Sequence, residues 1–544
     1  TMTELFKMAK AVFLDGISGE NNVQAGFVKR LTGMGAGRKV MVRAAAGTVY
    51  RLYVNGELAA HGPARTAEGF ARVDELDVSG LVNGVRDDFA FEVVYYGMPY
   101  GEYSNDVARG PAFLQAEIAD GESGEILAAT GPDWGGIRLT QRDGKSERIS
   151  HCRENTECYT LDPLYTEWRR APEKCLDKVC LTEPGLTLLP RGMALPTLTR
   201  RREGLIVDAG EAIMDRDENV PDEWFYRNSQ EYLAELPERP LLEYRRTREI
   251  GSEGVFSLKI QGNGTLQASF DLEKTLYVHY DMGKNTLGFI KIDINVSKKC
   301  ILDVIHLENY VYFDEKCEVT GGANPVTRLR LLPGKTSFIT MEAAVFRYLK
   351  LYVRPWNGED GAPADIRSGE KLQVRIELPE SVEYMCPDTR AGAFQCSDDD
   401  VNRLYAAARQ TLRMNTLDIF MDCPERERGG WLCDSLWTAR AFRMMMGHAE
   451  TEKAFMENFL LTPAESMWHG FFPEVYPAIK PDYTACPGLL TWSFWLMEEL
   501  CEYVRRSGDA EFALKHKARV EAFVRGTLEL RGGSGLLENT PWIF

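Results

Sequence analysis

The stretch from Asp422 to Asp434 reads DCPERERGGWLCD and separates two parts of the chain that differ in character. Before Ser397, short runs of Val, Ile, Leu and Tyr alternate with Gly- and Asn-containing turns, which is typical of antiparallel β-sheets. From Ser397 onward, apolar residues recur at the three- and four-residue spacing of amphipathic helices. The stretch itself is interrupted by proline and two adjacent glycines, so it is predicted to be a loop between two helices.

The loop concentrates ionisable side chains around one indole. Its charged and aromatic residues are Asp422, Glu425, Arg426, Glu427, Arg428, Trp431 and Asp434. A carboxylate beside an arginine stays ionised, whereas one desolvated against an indole stays protonated near neutral pH. Glycoside hydrolysis needs such a division between a proton donor and a charged carboxylate. The loop therefore predicts glycosidase chemistry. The structural alternatives are that Asp434 only caps a helix and that the Arg–Glu alternation is a solvated face.

The composition excludes several other classes of function. The 64 basic and 81 acidic residues give a net charge of −17 without a basic cluster, which argues against nucleic acid and anionic membranes as partners. No apolar run is long enough for a transmembrane helix. The 12 cysteines lack a zinc-type spacing, even beside His151, and no phosphate-binding glycine motif is present. We therefore expect neither a metal nor a cofactor. The first residues lack a signal-peptide pattern, which predicts a cytoplasmic location unless a signal has been removed.

Four segments are expected from the change in pattern along the chain. The strand runs Lys39–Ala45 and Thr48–Val54 precede Asn55-Gly56, the strongest short hairpin signal. Ser397 is predicted to cap the first helix and Asp434 the second. The predicted segments are a loosely attached lead-in (1–24), an N-terminal β-sandwich with a connecting segment (25–245), a second β-sandwich (246–385) and the N-terminal part of a helical catalytic domain (386–544), with helices at 450–460, 489–507 and 510–529.

The motif in the loop closely resembles the signature of the α-L-rhamnosidases of glycoside hydrolase family 78. That signature reads Asp-Cys-Pro, a polar residue, Arg-Glu-Arg, one residue, Gly-Trp, one residue, Gly-Asp. Cys433 departs from it, because the family usually has glycine there. The run YRLYVNGELAAHGPAR resembles the family's N-terminal sandwich, and VHYDMGKNTLGFIKIDINVSKKCILDVIHLENY resembles its later sandwich, with Lys284 in place of glutamine. The run FPEVYPAIKPDYTACPGLLTWSFWLMEELCEYVRRSGD resembles the barrel helices that follow.

The resemblance implies antiparallel β-sandwich domains followed by an (α/α)6-barrel catalytic domain, and inverting hydrolysis of terminal α-L-rhamnosides. It implies that Glu427 is the general acid and that Asp422 and Asp434 bind sugar hydroxyls. It also implies that Arg426 and Trp431 bind the substrate. From the residues themselves, Glu474 in a Phe-Pro-Glu-Val-Tyr loop and the neighbouring His469 and Trp468 are further candidates for sugar contacts.

A barrel of six helical hairpins needs twelve helices, and the sequence predicts about five. The barrel is therefore expected to be incomplete in this chain and the general base to lie beyond residue 544. A rhamnosylated glycoside or oligosaccharide is the expected partner, and a homodimer is left open. Two alternatives to an α-L-rhamnosidase also stay open: a related glycosidase of different sugar specificity, favoured by Cys433, and a non-catalytic carbohydrate-binding protein, which the sandwiches alone would fit.

Overall fold

The computed structural model describes most of the chain, with gaps. The described residues are 5–97, 112–146, 148–150, 152–214, 247–251, 257–309, 323–358, 369–389, 391–478, 489–538 and 540. His151 therefore lies outside the described residues. No helix in the described part of the chain is long and apolar enough to cross a membrane.

The N-terminal region is a sandwich of two mainly antiparallel sheets. The first sheet contains β1 (Val12–Leu14), β3 (Val40–Gly47), β6 (Phe70–Asp77), β8 (Phe113–Asp120), β9 (Ile126–Ala129), β12 (Val179–Leu181) and β13 (Thr187–Pro190). The second contains β2 (Val23–Thr32), β4 (Val49–Val54), β5 (Glu57–Gly62), β7 (Arg86–Tyr95) and β10 (Gly135–Arg138). Alternate side chains from both sheets, such as Val42 and Phe91, meet in one buried cluster, as aligned sandwich packing requires.

The predicted hairpin is confirmed, and the predicted lead-in is wrong. Val54 pairs with Glu57, so Asn55 and Gly56 form the two-residue connection, both with positive φ. Residues 5–24, the described part of the predicted lead-in, are not loosely attached, because Val12–Leu14 pairs with β12 and β8 inside the first sheet. The sequence missed this strand since its three residues are too few to show an alternating pattern.

The second β region is one hydrogen-bonded sheet of 13 strands. Its strands are β11 (Cys158–Leu161), β14 (Thr199–Arg201), β15 (Leu205–Met214), β16 (Thr247–Gly251), β17 (Ser257–Ile260), β18 (Leu266–Asp271), β19 (Thr275–Val296), β20 (Cys300–Leu307), β21 (Val326–Leu331), β22 (Gly334–Ile339), β23 (Ala344–Pro355), β24 (Lys371–Ile376) and β25 (Glu380–Glu383). Because β11, β14 and β15 belong to it, this sheet draws on residues before the predicted boundary at 246.

The long strand β19 is the main difference from the predicted strand pattern. The sequence predicts two strands, Leu276–Tyr280 and Phe289–Val296, whereas the structure joins them into one. Pairing with β23 continues through a register shift between Asp281 and Thr286, so the polar residues there form an irregularity inside the strand. Beyond it, β19 pairs with β22, β24 and β25.

The region after residue 390 is helical, as predicted. Its helices are α1 (Asp399–Met414), α2 (Asp434–Met446), α3 (Glu450–Leu460), α4 (Leu490–Ser507), α5 (Ala510–Lys515) and α6 (Lys517–Glu529). Gly447 and Gly508 end α2 and α4 in the left-handed conformation. The helix predicted over 510–529 is two helices, because the chain leaves helical geometry at His516.

Both predicted helix caps are displaced by one residue. Asp398, rather than Ser397, caps α1, and its carboxylate accepts the backbone N–H groups of Asp400 and Val401. Asp434 is the first residue of α2, and Cys433 occupies the cap position without a capping side-chain bond.

One buried cluster joins the helices to both β regions. It contains Ala67 from the first sandwich and Phe289 from the second, together with Phe420 and Phe455 from the helical region. The helices therefore share a core with the sheets, which fixes where the loop after α1 lies relative to them.

Candidate active site

The loop from Asp422 to Asp434 is closed at its base by two hydrogen bonds. The Asp422 N–H donates to the carbonyl of Gly429 over 3.0 Å, and the Gly429 N–H donates to Oδ1 of Asp422 over 2.8 Å. A short bridge between Trp431 and Val475 then attaches the end of the loop to the segment after α3. The loop is therefore an ordered structure and not a solvated connection.

Cys433 adopts a conformation that L-residues rarely tolerate. Its φ is 71° and its ψ is −60°, and the Asp434 N–H donates to the Leu432 carbonyl over 3.0 Å. This is a γ-turn of the positive-φ type, which is strained for a residue with a Cβ. A glycine avoids this strain, which gives a physical reason for the glycine usual at this position of the motif.

Replacing Cys433 with glycine is expected to raise the free energy of unfolding by about 1 kcal/mol. Relief of backbone strain contributes about 1–3 kcal/mol, and the greater freedom of glycine in the unfolded chain offsets about 0.5–1 kcal/mol of it. Urea unfolding of Cys433→Gly measures the change, with Cys501→Ala on the exposed face of α4 as the control. If Cys433→Gly is less stable than wild type, the contacts of the cysteine side chain stabilise the protein by more than the backbone strain destabilises it.

Glu427 is held by one residue on each of its two oxygens. The Arg426 guanidinium pairs with Oε1, and the Trp431 indole N–H donates to Oε2 over 2.9 Å. Its side chain is 12% exposed, so it is enclosed but still reachable. Two donors converging on a carboxyl group fix its orientation. The structure thus brings together three of the residues predicted for the site.

Asp422 and Asp434 both interact electrostatically with Glu427. Burial, reinforced by the negative charge of Glu427, raises the pKa of Asp422 to about 6. Burial is also the main cause that raises the pKa of Asp434, with Glu427 adding to it. The site therefore places an acid that titrates near neutral pH beside a second, firmly held carboxyl group, and glycoside cleavage uses such a pair of carboxyl groups.

Glu474 and His469, the further candidates for sugar contacts, lie in different surroundings. Glu474 is 2% exposed and adjoins the loop, since its backbone carbonyl accepts the Leu432 N–H over 2.9 Å. His469 is exposed, and its Nδ1 lies 3.2 Å from Oε2 of Glu529 on α6. The ring of His469 packs edge-on against Trp468. The contacts of His469 therefore place it against α6, whereas those of Glu474 place it beside the motif.

A buried glutamate next to the motif was missed by sequence analysis. Glu499 on α4 is fully buried, and the hydroxyl of Ser435, the residue after Asp434, donates to its Oε2 over 2.6 Å. Burial raises the pKa of Glu499 to about 8, and the bond from Ser435 offsets only part of this effect. The signal available in the sequence was its position on the apolar face of α4, between Leu496 and Leu500.

Glu499 should make the protein less stable as the pH rises. Its folded-state pKa lies above the ordinary glutamate value of about 4.3, so its favourable contribution is complete below pH ~4 and is lost as pH rises to about 8. Glu499→Gln cannot ionise, so at pH 8 it is expected to exceed the wild type in stability by on the order of a few kcal/mol. Urea unfolding at pH 5 and pH 8 tests this, with Glu498→Gln on the exposed face of α4 as the control. Parallel pH profiles for wild type and Glu499→Gln would contradict it.

Two other features of the described residues have the form of ligand sites. A cavity of about 360 Å³ lies behind the loop at the junction of the three regions, and Arg428 and Asp418 line it, whereas Asp422, Glu427, Trp431 and Asp434 do not. Asp208, Glu249 and His279 bring possible metal-ligand atoms within 4.8 Å of one another. However, the ammonium group of Lys350 lies 2.6 Å from Glu249, so a protein side chain already provides a positive charge at this cluster.

The helical part of the chain, which contains the carboxylate loop, is similar to a domain of known glycosidases. The model of a bacterial α-L-rhamnosidase six-hairpin glycosidase domain matches residues 389–542. A curated α-L-rhamnosidase from Formosa agariphila is 25% identical over 163 residues, which are 28% of this chain and 15% of that protein. The aligned part thus spans well under two thirds of that relative's length.

Solved structures of rhamnosidases share the fold over nearly the whole chain. The family 78 rhamnosidase of Bacillus sp. GL1 is 17% identical with a TM-score of 0.77, over 99% of this chain and 71% of that one. An α-L-rhamnosidase from Aspergillus terreus has a TM-score of 0.62 at 15% identity, over 98% of this chain and 54% of that one. The Streptomyces avermitilis enzyme, complexed with L-rhamnose, has a TM-score of 0.57 at 14% identity, over 94% and 43%. The resemblance to family 78 and the predicted fold class, β-sandwiches followed by a helical domain, are thereby confirmed.

Proposed function

We propose that this chain hydrolyses terminal α-L-rhamnosyl residues of glycosides or oligosaccharides with inversion at the anomeric carbon. The observation that carries the proposal is the linked set of carboxylates Asp422, Glu427 and Asp434 in the loop that matches the family signature. The rhamnose-bound structure of the Streptomyces avermitilis relative supports the choice of sugar. A protein that only binds sugars needs no acid with a raised pKa beside a fixed carboxylate.

In the proposed mechanism, Glu427 delivers the proton to the glycosidic oxygen. Arg426 and Trp431 hold its two oxygens, and Asp422, whose pKa burial raises to about 6, interacts electrostatically with it. Asp434 begins α2 beside the site and is proposed to bind sugar hydroxyls. An inverting mechanism also needs a base carboxylate across the sugar, roughly 6.5–9.5 Å from the acid, with a water between them. The identity of that base stays a prediction.

The second candidate function is a glycosidase of the same class that prefers another sugar. Cys433 favours it, because its side chain, in a strained turn beside Asp434, stands where glycine would leave open space. The non-catalytic alternative predicts sugar binding without turnover.

The cytoplasmic location and the homodimer stay predictions.

A panel of p-nitrophenyl glycosides tests the proposal directly. We expect turnover of the α-L-rhamnoside and much slower turnover of the fucoside, glucoside, galactoside and glucuronide. Proton NMR of the first-formed product should show the β-anomer of rhamnose, as inversion requires. Preference for another glycoside would favour the second candidate function. Binding of L-rhamnose with no turnover of any glycoside would favour a carbohydrate-binding protein.

A further inference from the structure

Three hydrogen bonds connect the catalytic loop to distant parts of the β regions. The Arg153 Nη1 donates to the Glu425 carbonyl over 2.6 Å, and the Ser150 hydroxyl donates to the Arg426 carbonyl over 2.5 Å. The Arg65 Nη1 donates to the Arg428 carbonyl over 2.7 Å. Distant side chains thus hold the carbonyls of both neighbours of Glu427. Ser150 is 276 residues from Arg426 in sequence, and Arg65 is 363 residues from Arg428.

The donors of these bonds are themselves fixed. Ser150 is completely buried, and Arg153 is 3% exposed and forms an ion pair with Glu154 over 2.5 Å. Arg65 binds both carboxylate oxygens of Asp418 while its remaining nitrogen reaches the loop. A buried donor that is held by a second partner presents one direction to its acceptor, so the bond fixes the position of the carbonyl as well as satisfying it.

The backbone around Glu427 requires this external support. Arg428 has a φ of 52°, which is unfavourable for a residue with a Cβ. The Glu427 N–H lies 3.4 Å from the sulfur of Cys423, a long contact with a weak acceptor. Without regular secondary structure, the direction in which the Glu427 side chain leaves the backbone is determined by the peptide planes on either side of it. The plane before Glu427 carries the Arg426 carbonyl that Ser150 holds, and Arg65 holds the Arg428 carbonyl, which lies one peptide beyond the plane that follows Glu427.

We infer that Ser150, Arg153 and Arg65 form a carbonyl clamp that positions the general acid Glu427. These three are positioning residues of the β regions, which makes those regions part of the catalytic apparatus in addition to their role as scaffold. The inference rests on the proposed function, in which Glu427 protonates the leaving oxygen. The inference goes beyond the proposed function by naming residues outside the motif on which proton delivery depends.

Misplacement of an acid has a kinetic signature that loss of folded protein does not have. Proton delivery matters most for poor leaving groups, because a phenolate that is already stable departs without a proton. Loosening the clamp should therefore lower kcat/KM strongly for aryl α-L-rhamnosides of weakly acidic phenols and little for those of strongly acidic ones. A lower fraction of folded enzyme would reduce all of these rates equally.

Ser150→Ala is the principal test, and Ser146→Ala is its matched control. Ser146 lies on the same segment, is buried, and donates its hydroxyl to a backbone carbonyl over 2.6 Å, but that carbonyl belongs to Thr156 and not to the loop. For Ser150→Ala we expect kcat/KM to fall roughly 10- to 100-fold with the least acidic phenol. The plot of log kcat/KM against phenol pKa should become steeper, whereas Ser146→Ala should keep the wild-type slope.

Hydrogen exchange provides a measurement that does not depend on the substrate. Amides between Asp422 and Asp434 should exchange faster in Ser150→Ala than in wild type or Ser146→Ala. Arg65→Lys is a second variant, since it keeps the charge near Asp418 but loses the fork that reaches Arg428. It should change the slope and the exchange in the same direction.

Each outcome supports or overturns the inference. A steeper slope with faster loop exchange in Ser150→Ala and Arg65→Lys supports the clamp. An unchanged slope and loop exchange equal to that of Ser146→Ala overturn it. If wild type hydrolyses no aryl rhamnoside, the proposed function fails, and the exchange comparison alone then decides whether the clamp holds the loop.

Discussion

Replacing Glu427 with glutamine is expected to lower kcat for a p-nitrophenyl or alkyl α-L-rhamnoside by about 10²–10⁴-fold, because general acid catalysis contributes that much. Glutamine has nearly the shape of glutamate and still accepts the indole N–H of Trp431, but it has no acidic proton to deliver. Binding of L-rhamnose should survive, since Asp422 and Asp434 are unchanged. Steady-state kinetics and calorimetric binding of L-rhamnose measure the two effects separately.

The dependence of the rate on the leaving group shows whether Glu427 or Asp422 donates the proton. The loss in Glu427→Gln should shrink with a 2,4-dinitrophenyl rhamnoside, which needs little protonation. Asp422 is the competing donor, since burial raises its pKa to about 6. If Asp422→Asn shows the dependence on leaving group and Glu427→Gln does not, the proton comes from Asp422. Glu498→Gln, an exposed exchange of the same type on α4, should leave the kinetics unchanged.

Replacing Gly430 with alanine is expected to lower the free energy of unfolding by about 2–3 kcal/mol, the cost of inserting a methyl group into packed space. A Cβ at Gly430 would lie 2.3 Å from the backbone oxygen of Tyr476 and 2.9 Å from the ring of Phe455. The backbone oxygen has little freedom to move away, because the Tyr476 N–H donates to the Gly430 carbonyl over 3.1 Å. Because the added methyl group displaces the loop, kcat/KM should also fall.

The control for Gly430→Ala is Gly533→Ala, where a Cβ would meet no atom within 4 Å. Urea unfolding and kcat/KM for the p-nitrophenyl rhamnoside measure the two consequences. Equal stabilities of the two variants would show that the segment carrying Tyr476 adapts to the added methyl group. Loss of stability without loss of activity would show that the loop keeps its shape while its support moves.

The reason for the two glycines in the loop differs from the sequence-based interpretation. Their adjacency suggests a backbone shape that other residues resist, yet neither is among the described residues with positive φ. Both are required by close approach, since a Cβ at Gly429 would meet the Trp431 ring at 2.8 Å and one at Gly430 would meet Tyr476. The unusual conformations fall instead on Arg428 and Cys433. Sequence proximity to glycine does not show which residue takes the strained conformation.

The sequence by itself determined the elements whose signals are local. Short apolar runs predicted strands such as β3 and β4, Asn55-Gly56 predicted the hairpin, and Gly447 and Gly508 marked helix ends, because each signal depends on neighbours a few residues away. The motif itself identified the candidate carboxylates and the class of glycosidase, since their residue types and spacing lie within thirteen consecutive positions.

Only the tertiary structure decided how those carboxylates are held. The hydrogen bonds of Ser150 and Arg65 to the loop join residues 276 and 363 positions apart, and no local pattern encodes such a contact. The proton affinities of Asp422 and Glu499 depend on burial, which exists only after the helices pack on the sheets. The sequence thus indicated the candidate side chains, and long-range packing specified their orientation and the proton affinity of Asp422.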